Sequence, residues 1–341
     1  MDEDSNYDAL IGKKGLDRIM TKNKNNFLTY KKKILDTYGR IFTKEHIYKY
    51  SSKIYNIIEN IEETDGIVMI YSNYIYGGLV PLAIALEELG YSKYDGDNLL
   101  DNKKTKREQY AMITGDIKYT KNKLNIIKKV TDENNKYGGI IKFLLISKSG
   151  SEGLDFKNIR QVHVMEPWYN MSRIEQIIGR AVRNCSHKML PFNERNVEIY
   201  LYGTYLEGER EFMDLYLYRM AEEKAIKIGN VTRALKEVSI DCLLNYEQQN
   251  FIEEKLNKQI TLTTSSGKSI SYLVGNKPYT DICDYKESCE YKCKYNDELG
   301  DFDVNEDSYN ENFILLNIDR ITKHIKDLYK EYYVYEKDEI I

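Results

Sequence analysis

Short apolar segments alternate with helical patterns through the middle of this chain, and this alternation constrains the fold most. Five such segments, which polar residues bound, occur at 66–72, 110–114, 142–147, 161–166 and 197–203. Uniformly apolar runs of this length are typical of strands buried on both faces, as in a parallel sheet. Because helical periodicity lies between them, the sequence predicts an α/β fold, an open parallel sheet flanked by helices.

The sequence on either side of this region has a different texture. We predict one sheet domain over 61–205, preceded by a polar, lysine-rich connection over 1–60 whose last part is an amphipathic helix. Residues 206–248 are predicted to be a helical extension that stops at Gly229 and restarts at the next residue. Residues 249–341 are predicted to form a small α/β tail with a hairpin and a cysteine patch.

The bulk properties exclude several classes of protein. A net charge of −4 means that any nucleic-acid contact depends on a local basic surface and not on the field of the whole chain. No apolar run is long enough to span a bilayer, and the acidic N-terminus lacks the apolar segment of a signal peptide. We therefore expect a soluble, intracellular protein without a membrane partner. The abrupt termini suggest a truncated reading frame more than a naturally split gene.

The segment RIEQIIGRAVRN, at 173–184, contains an unusual concentration of arginine. On a helix, one face would carry four long polar residues: Arg173, Gln176, Arg180 and Arg183. Exposed helices usually mix both signs of charge, whereas this face is almost entirely arginine and glutamine. Since arginine binds phosphate in a rigid, bidentate geometry, the face predicts phosphate recognition. A glycine within the helix, Gly179, costs about 1 kcal/mol relative to alanine and suggests a close approach to the backbone.

Four motifs in this order resemble those of superfamily 2 helicases and nucleic-acid-dependent ATPases. QIIGRAVR matches their sixth motif, Q-x-x-G-R-x-x-R. Upstream, SKSGSEGLDF at 147–156 resembles the fifth motif, VMIYSNY at 68–74 the fourth, and YAMITGD at 110–116 the Thr-Gly-Asp element between those two. Each falls at a predicted strand end, where ligand sites of open parallel sheets lie. Residues 150–187 are most similar to helicase-like transcription and nucleoside triphosphatase proteins of large DNA viruses of the pox, asfar and mimi type.

The resemblance implies a RecA-like lobe of the P-loop NTPase type, the second of the two lobes in such enzymes. Arg180 and Arg183 resemble arginine fingers, which reach the γ-phosphate and stabilise charge in phosphoryl transfer. These two are the predicted catalytic residues. The resemblance also implies four positions that face the nucleotide: Gln176, Gly179, Gly153 and Asp155.

The same resemblance implies a surface that follows a strand of DNA or RNA. Small and polar residues at the strand ends would let hydroxyl and N–H groups meet phosphates. The implied positions are Ser72, Asn73, Thr114, Gly115, Ser147, Ser149, Gly150 and Ser151. Trp168 and Tyr169 also follow a strand end, where they would contact either a base or the core. For the tryptophan, the core is the preferred interpretation.

The first lobe of such enzymes supplies a Walker A loop, G-x-x-x-x-G-K-[ST], and an acidic box that holds Mg²⁺. Neither sequence occurs among the 341 residues. TTSSGKS at 263–269 resembles the loop, but Leu262 stands where its first glycine belongs. Residues 266–268 are instead predicted to form a hairpin turn, so Lys268 is not expected to bind phosphate. ATP and Mg²⁺ would be bound mainly by a first lobe that this sequence lacks.

Three cysteines lie close together in the tail: Cys283, Cys289 and Cys293. Zinc prefers four ligands, commonly in pairs separated by two to four residues, so only the second spacing fits. The fourth ligand would have to be Cys242 or a distant histidine. Because five cysteines are an odd number and no secretory context is evident, reduced and unligated thiols are preferred over zinc or a disulfide framework.

Taken together, the motifs predict the second lobe of an ATP-dependent superfamily 2 DNA or RNA helicase. It would be inactive alone and would be completed by a lobe that carries Walker A. Viral transcription machinery is a further implied partner, and the virion or host cytoplasm an implied location. The alternative is a non-catalytic subunit that binds nucleic acid or a transcription partner and retains the motifs unused.

Overall fold

The computed structural model describes residues 9–62, 64–101, 105–148, 154–208, 211–242, 258–273, 278–294, 311–332 and 334–336. Contacts divide the chain into two units, Met1–Tyr291 and Lys292–Ile341, which are described separately. The helices are α1 Gly12–Ile19, α2 Lys32–Tyr38, α3 Lys44–Ile47, α4 Ser52–Glu62, α5 Val80–Glu88, α6 Lys123–Val130, α7 Met171–Ile178, α8 Met213–Val238 and α9 Glu311–Leu328. The strands are β1 Met20–Lys22, β2 Leu28–Tyr30, β3 Ile67–Ser72, β4 Ser92–Lys93, β5 Gln109–Ile113, β6 Ile141–Ser147, β7 Ile159–Val164, β8 Glu198–Leu201, β9 Gln259–Thr263 and β10 Ser269–Leu273.

Six strands of the first unit form one parallel sheet in the order β4-β5-β6-β3-β7-β8. Five of them are the apolar runs found in the sequence, so the predicted α/β, RecA-like fold is confirmed. The central strand β3 is buried along its whole length, as expected where helices cover both faces of a sheet. The sixth strand, β4, spans only two residues and has no pattern of its own in the sequence.

Two hydrophobic clusters occupy the two faces of the sheet. The side chains of β3 alternate between them, with Val68 and Ile70 in one cluster and Met69 in the other. Helices α4 and α5 contribute to the first cluster, whereas α6 and α7 contribute to the second. The polar loops at the carboxyl ends of the strands are thereby held at one edge of a rigid sheet.

Residues 9–62 are not the polar connection that the composition predicted. Leu16, Met20 and Phe42 are buried in the same cluster as the β3 side chains. The predicted helix in this segment is present as α4, with its four isoleucines buried and the Ser51 hydroxyl accepting from the Ile54 N–H at 3.2 Å. The many lysines obscured the apolar positions because these are spread over short elements without a long periodicity.

Helix α8 runs unbroken through Gly229, so the prediction of a stop at this glycine is wrong. A Cβ at Gly229 would lie 2.0 Å from the carbonyl oxygen of Asp284. Gly229 therefore allows the 278–291 loop to pack closely against the helix. In the sequence alone, a glycine with this role looks the same as one that ends a helix. A buried arginine of the same helix, Arg233, also binds this loop.

The hairpin predicted around 263–269 is confirmed, because β9 and β10 pair antiparallel and Gly267 adopts a φ of +77° in their turn. In the second unit, α9 corresponds to the helix predicted in the tail. The predicted domain limits at 60, 205 and 248 stay predictions. Over the part of the chain that the structure describes, none of the helices combines the length and apolarity that a membrane crossing requires.

His163 on β7 should make stability depend on pH. The ring is fully buried, with nitrogens 2.8 Å from the Tyr202 hydroxyl and 3.0 Å from Gln161 Oε1, and burial lowers its pKa from 6.5 to about 3. Between these values the unfolded chain binds a proton that the folded chain does not. The contribution of His163 to the free energy of unfolding should therefore fall as the pH falls, by up to about 1.4 kcal/mol per pH unit.

Urea unfolding between pH 7 and pH 4 measures this contribution. His163→Phe should remove it, whereas replacing the exposed His324 by phenylalanine should leave the slope unchanged. Equal slopes in the native chain and His163→Phe would contradict the assignment.

Candidate functional site

A cavity of about 310 Å³ lies at the carboxyl edge of the sheet, between the end of β3 and the beginning of α7. Its polar wall includes Lys148, Asn170, Ser172, Arg173, Gln176 and Arg180. Three of these side chains are cationic, and the residues that line the cavity include no carboxylate. The cavity therefore suits an anionic ligand that carries phosphate.

Arg173 is fixed against two aromatic rings in the wall of this cavity. Its guanidinium carbon lies 4.1 Å from the centroid of the Trp168 ring, and its Nη2 donates to the Tyr71 hydroxyl at 2.7 Å. Burial raises the pKa of Tyr71, and the hydrogen bond from Arg173 opposes that rise. Stacking and hydrogen bonding together give the guanidinium a defined orientation, which bidentate recognition of phosphate requires.

The sixth-motif helix is shorter than the arginine pattern predicted. Helix α7 ends at Ile178, and Gly179 is its C-terminal cap, so the interpretation of a glycine within the helix is wrong. The Arg180 N–H donates to the Ile177 carbonyl at 3.1 Å, three residues back, where the backbone tightens into a 3₁₀-type turn. The loss of helical geometry here changes the direction of the side chains that follow.

The four polar residues of the predicted face are therefore divided. Arg173, Gln176 and Arg180 line the cavity, whereas Arg183 does not. The Arg183 Nη1 lies 3.4 Å from Asp155 Oδ1, and its Nε donates to the Gly179 carbonyl at 2.9 Å. Since both charged groups of this ion pair are about half exposed, the pair adds little stability and leaves Arg183 able to exchange partners.

Arg180 joins the fifth and sixth motifs. Its Nη1 donates to the Leu154 carbonyl at 2.9 Å, while the Arg180 carbonyl accepts from the Phe156 N–H at 3.3 Å. The guanidinium thus holds the segment after β6 and also faces the cavity. Of the other fifth-motif predictions, Ser147 is buried at the end of β6, and Asp155 is exposed beside Arg183. Ser149, Gly150, Ser151 and Gly153 lie outside the described residues.

The end of β3 is organised by a carboxylate that sequence reasoning missed. Glu166, directly after β7, accepts from the Ser72 hydroxyl at 2.8 Å and from the Asn73 N–H at 3.0 Å, and burial raises its pKa. Ser72 is completely buried, so its hydroxyl positions this loop and is not presented to a ligand as predicted. Asn73 is partly exposed beside it.

The Thr-Gly-Asp element forms a closed turn after β5. The Thr114 hydroxyl accepts from the Asp116 N–H at 3.2 Å, and the Thr114 N–H donates to the Thr120 hydroxyl at 2.8 Å. Because Thr114 is buried in this network, its side chain shapes the turn, whereas the adjacent Gly115 is exposed. Gly115 is therefore the residue of this pair that a strand can reach.

Sequence reasoning also missed two components of the cavity wall. Trp168 belongs to neither hydrophobic cluster and is only partly buried, so the preferred core interpretation is wrong. Arg173 was part of the arginine pattern but was not assigned a role. The spacing of five residues between Trp168 and Arg173, across the beginning of α7, was the available signal, but only the fold shows that the two side chains stack.

The cysteines also differ from expectation. Cys283 and Cys289 form a disulfide, so the prediction of reduced and unligated thiols is wrong for these two. Cys185 is a free, exposed thiol. Among the residues that the structure describes, no group of three or more histidine, cysteine or acidic side chains is arranged to hold a metal ion. Zinc at Cys283, Cys289 and Cys293 is therefore not supported.

Comparison with known proteins relates this geometry to helicases. Residues 52–185 match the helicase conserved C-terminal domain. A protein of Acanthamoeba polyphaga mimivirus, named as an ATP-dependent RNA helicase, is 34% identical over 61% of this chain and 25% of its own length. The termination factor NPH-I homologue of African swine fever virus is 30% identical over 58% of this chain and 33% of its own length.

Among solved structures, the C-terminal part of the Fun30 ATPase domain aligns with 51% of this chain and 46% of its own, at 16% identity and a TM-score of 0.36. The chain spans about a quarter to a third of the length of these two viral relatives. The predicted resemblance to the second lobe of superfamily 2 helicases is confirmed by the family match and the viral relatives.

Proposed function

We propose that this chain, whose residues 52–185 form a helicase C-terminal lobe, is the second lobe of an ATP-dependent enzyme that acts on a DNA or RNA strand. The observation that carries the proposal is the cavity at the carboxyl edge of the sheet. It brings Arg173, Gln176 and Arg180 together without a carboxylate among its lining residues. Arg183 lies beside it on an ion pair that is easily exchanged.

The arrangement suits recognition of a polyphosphate that another lobe binds. Arginine fingers act by stabilising charge on the transferred phosphoryl group, and they need no covalent chemistry of their own. Arg180 is pre-oriented by its bond to the Leu154 carbonyl, and Arg183 is free to leave Asp155 for a stronger anion. Gln176 and the backbone at Gly179 and Gly153 would complete the nucleotide-facing surface.

The donor set fits the phosphates of ATP but not Mg²⁺. Magnesium requires carboxylate or other oxygen ligands in near-octahedral geometry, whereas the cavity offers guanidinium, ammonium and amide groups. We therefore assign Mg²⁺, which neutralises phosphate charge when it is bound, to a Walker A lobe. The residues of this chain would bind and orient the terminal phosphate and exclude water around it.

The bound strand of DNA or RNA would follow the loops at the same carboxyl edge of the sheet. Asn73 and Gly115 are accessible there, while Ser72, Thr114 and Ser147 support the loop backbones from below. The names of the viral relatives, an RNA helicase and a termination factor, support a role in viral transcription.

Nucleic-acid-stimulated ATP hydrolysis tests the proposal. The chain alone should be inactive, and activity should appear when it is mixed with a polypeptide that carries the Walker A lobe of this family. Substantial hydrolysis by the purified chain alone would contradict the assignment of this chain as a second lobe that needs a Walker A lobe for activity. If the mixture is inactive but strand binding is retained, the non-catalytic subunit becomes the better description.

A further inference from the structure

A second cavity, of about 290 Å³, lies beside the edge strand β4 of the sheet. Three segments enclose it: the loop between β1 and β2, the loop that follows β4, and the segment that follows the Thr-Gly-Asp turn. The residues that line this second cavity include none from the four helicase motifs. The cavity is therefore separate from the site described above.

Four lysines converge on this cavity: Lys22, Lys93, Lys118 and Lys121. The lining contains one carboxylate, that of Asp97, so the positive charges outnumber the negative ones. Three asparagines and the ring of Phe27 complete a wall that combines cations, amide donors and an aromatic face. Proximity of the ammonium groups to one another is unfavourable unless an anion lies between them.

Three other carboxylates near these lysines, those of Asp95, Glu87 and Asp116, accept hydrogen bonds from backbone N–H groups. Asp95 Oδ2 accepts from the N–H groups of Lys121 and Asn122 at 3.1 and 2.9 Å. Glu87 accepts from the Leu99 and Leu100 N–H groups at 2.7 and 2.6 Å and also from the Tyr110 hydroxyl. On the Lys118 side, the two nearby acids are Asp116, which accepts from the Lys118 N–H at 2.9 Å, and Asp17. Because such hydrogen bonds do not remove the charge of a carboxylate, the cationic character of the cavity rests on its lining, which has four lysines and one aspartate.

Lys93 is the most informative member of the group. It is only 4% exposed, yet over the described chain its ammonium makes no hydrogen bond and no ion pair. Burial lowers its pKa, with Asp95, Glu87 and Asp97 opposing the change and Lys121 adding to it. The Lys93 Nζ is not among the fully buried side-chain atoms that lack a partner, and Lys93 lines the cavity, so its charge is open to an anion there. A bound anion would supply the missing partner.

We propose that this cavity binds a phosphate group, and we assign it to the backbone of a bound nucleic-acid strand. Phosphate is the anion that several lysines and amide donors recognise together as point charges and hydrogen-bond donors. Lys118 and Lys121 follow the Thr-Gly-Asp turn, whose Gly115 is exposed at the carboxyl edge of the same sheet. A strand that crosses Gly115 would therefore meet the cavity. The choice of a strand phosphate over a free one rests on the proposed function.

Substitution of the two exposed lysines, Lys22→Gln with Lys118→Gln, tests the strand assignment with little risk to folding. Affinity for a single-stranded oligonucleotide, measured by fluorescence anisotropy, should fall about tenfold. The slope of log affinity against log salt should decrease by about 0.7 for each phosphate that the variant no longer neutralises. The Lys22→Arg, Lys118→Arg pair should retain binding. A matched control removes two exposed lysines elsewhere, Lys128 and Lys227, and should change neither quantity.

A second measurement separates the two sources of phosphate. Calorimetric titration with pyrophosphate, on the native chain and on Lys93→Met, detects a free phosphate ligand. Saturable binding that Lys93→Met abolishes, with unchanged oligonucleotide affinity in the glutamine pair, would reassign the site to a free phosphate. If the native chain binds pyrophosphate in this way but binds no oligonucleotide, the cavity is still a phosphate site, whereas the proposed function is wrong. If the affinities of the variants for the oligonucleotide and for pyrophosphate equal those of the control pair, the proposal of a phosphate site is wrong.

Discussion

Replacement of Arg183 by alanine should lower nucleic-acid-stimulated ATP hydrolysis by the assembled two-lobe enzyme about 10³-fold. The guanidinium would act only in the transition state, where charge on the transferred phosphoryl group is greatest. Its loss should therefore reduce kcat and leave the KM for ATP nearly unchanged. In the chain described here Arg183 is half exposed and only loosely paired with Asp155, so its removal should not disturb folding.

Arg180→Ala should cause a loss of similar size but with a second effect. Because Arg180 also binds the Leu154 carbonyl and lines the cavity, its removal should loosen the fifth motif and raise the KM as well. Lysine at either position should restore little activity, since an ammonium cannot reproduce two parallel hydrogen bonds. The KM should therefore rise in Arg180→Ala but not in Arg183→Ala. This difference follows from the positions of the two side chains, which the sequence motif alone does not give.

Steady-state hydrolysis over a range of ATP concentrations measures these effects, with Arg219→Ala as the matched control. Arg219 is an equally exposed arginine on α8, paired with Glu211 and Glu223, and should be dispensable. Trp168 is the only tryptophan of the chain and stacks on Arg173 in the cavity wall, so its fluorescence reports ligand binding independently of turnover. An Arg183→Ala enzyme with native kcat would refute the finger assignment.

The centre of the sheet could be predicted because β3, β5, β6 and β7 are almost entirely buried and therefore largely apolar, whereas the residues of β8 are exposed or partly exposed. Strand β4 has two residues, and its position depends on pairing with β5, which no local pattern encodes. The core contribution of residues 9–62 was hidden for a similar reason. Single buried side chains such as Leu16 and Met20 lie within lysine-rich sequence, and only tertiary packing distinguishes them from exposed apolar residues.

The site was predictable only as a set of motif positions. The arginine pattern correctly brought three residues to one cavity, but the end of α7 at Ile178 separated Arg183 from them. The Ser72 hydroxyl, which was expected to face a ligand, instead donates to the partly buried carboxylate of Glu166 in the loop after β7. Partners such as Glu166 come from distant parts of the sequence. The local sequence therefore places Ser72 correctly at the end of a strand but does not give the direction of its side chain.

Arg233 should be the position outside the site where substitution is most damaging to stability. Its side chain is 7% exposed, and its Nε donates to Asp284 Oδ2 at 2.8 Å. The remaining nitrogens donate to four backbone carbonyls of the same loop, those of Cys283, Ser288, Cys289 and Glu290. Arg233→Ala would leave these acceptors and a buried carboxylate without their main donor. We expect a loss of about 3–5 kcal/mol in the free energy of unfolding.

Urea unfolding of Arg233→Ala against the same Arg219→Ala control measures this loss. The control should change stability by less than about 0.5 kcal/mol, because exposed ion pairs contribute little. Lys236 pairs with Asp284 at 2.7 Å and the Lys286 N–H donates to the Cys283 carbonyl at 3.0 Å, so in the variant each of these two acceptors would keep one partner. An effect no larger than that of the control would show that water replaces the guanidinium at this loop.

The same variant should also weaken the site, although Arg233 does not line the cavity. The Tyr285 hydroxyl of this loop donates to Glu175 Oε1 at 3.0 Å, and Glu175 belongs to α7, the helix that presents Gln176. Loosening the loop should therefore release one restraint on α7. Tyr285→Phe removes that hydrogen bond alone, so it should lower ATP hydrolysis modestly without the large loss of stability. If Tyr285→Phe leaves hydrolysis unchanged while Arg233→Ala lowers it, the coupling runs through stability and not through α7.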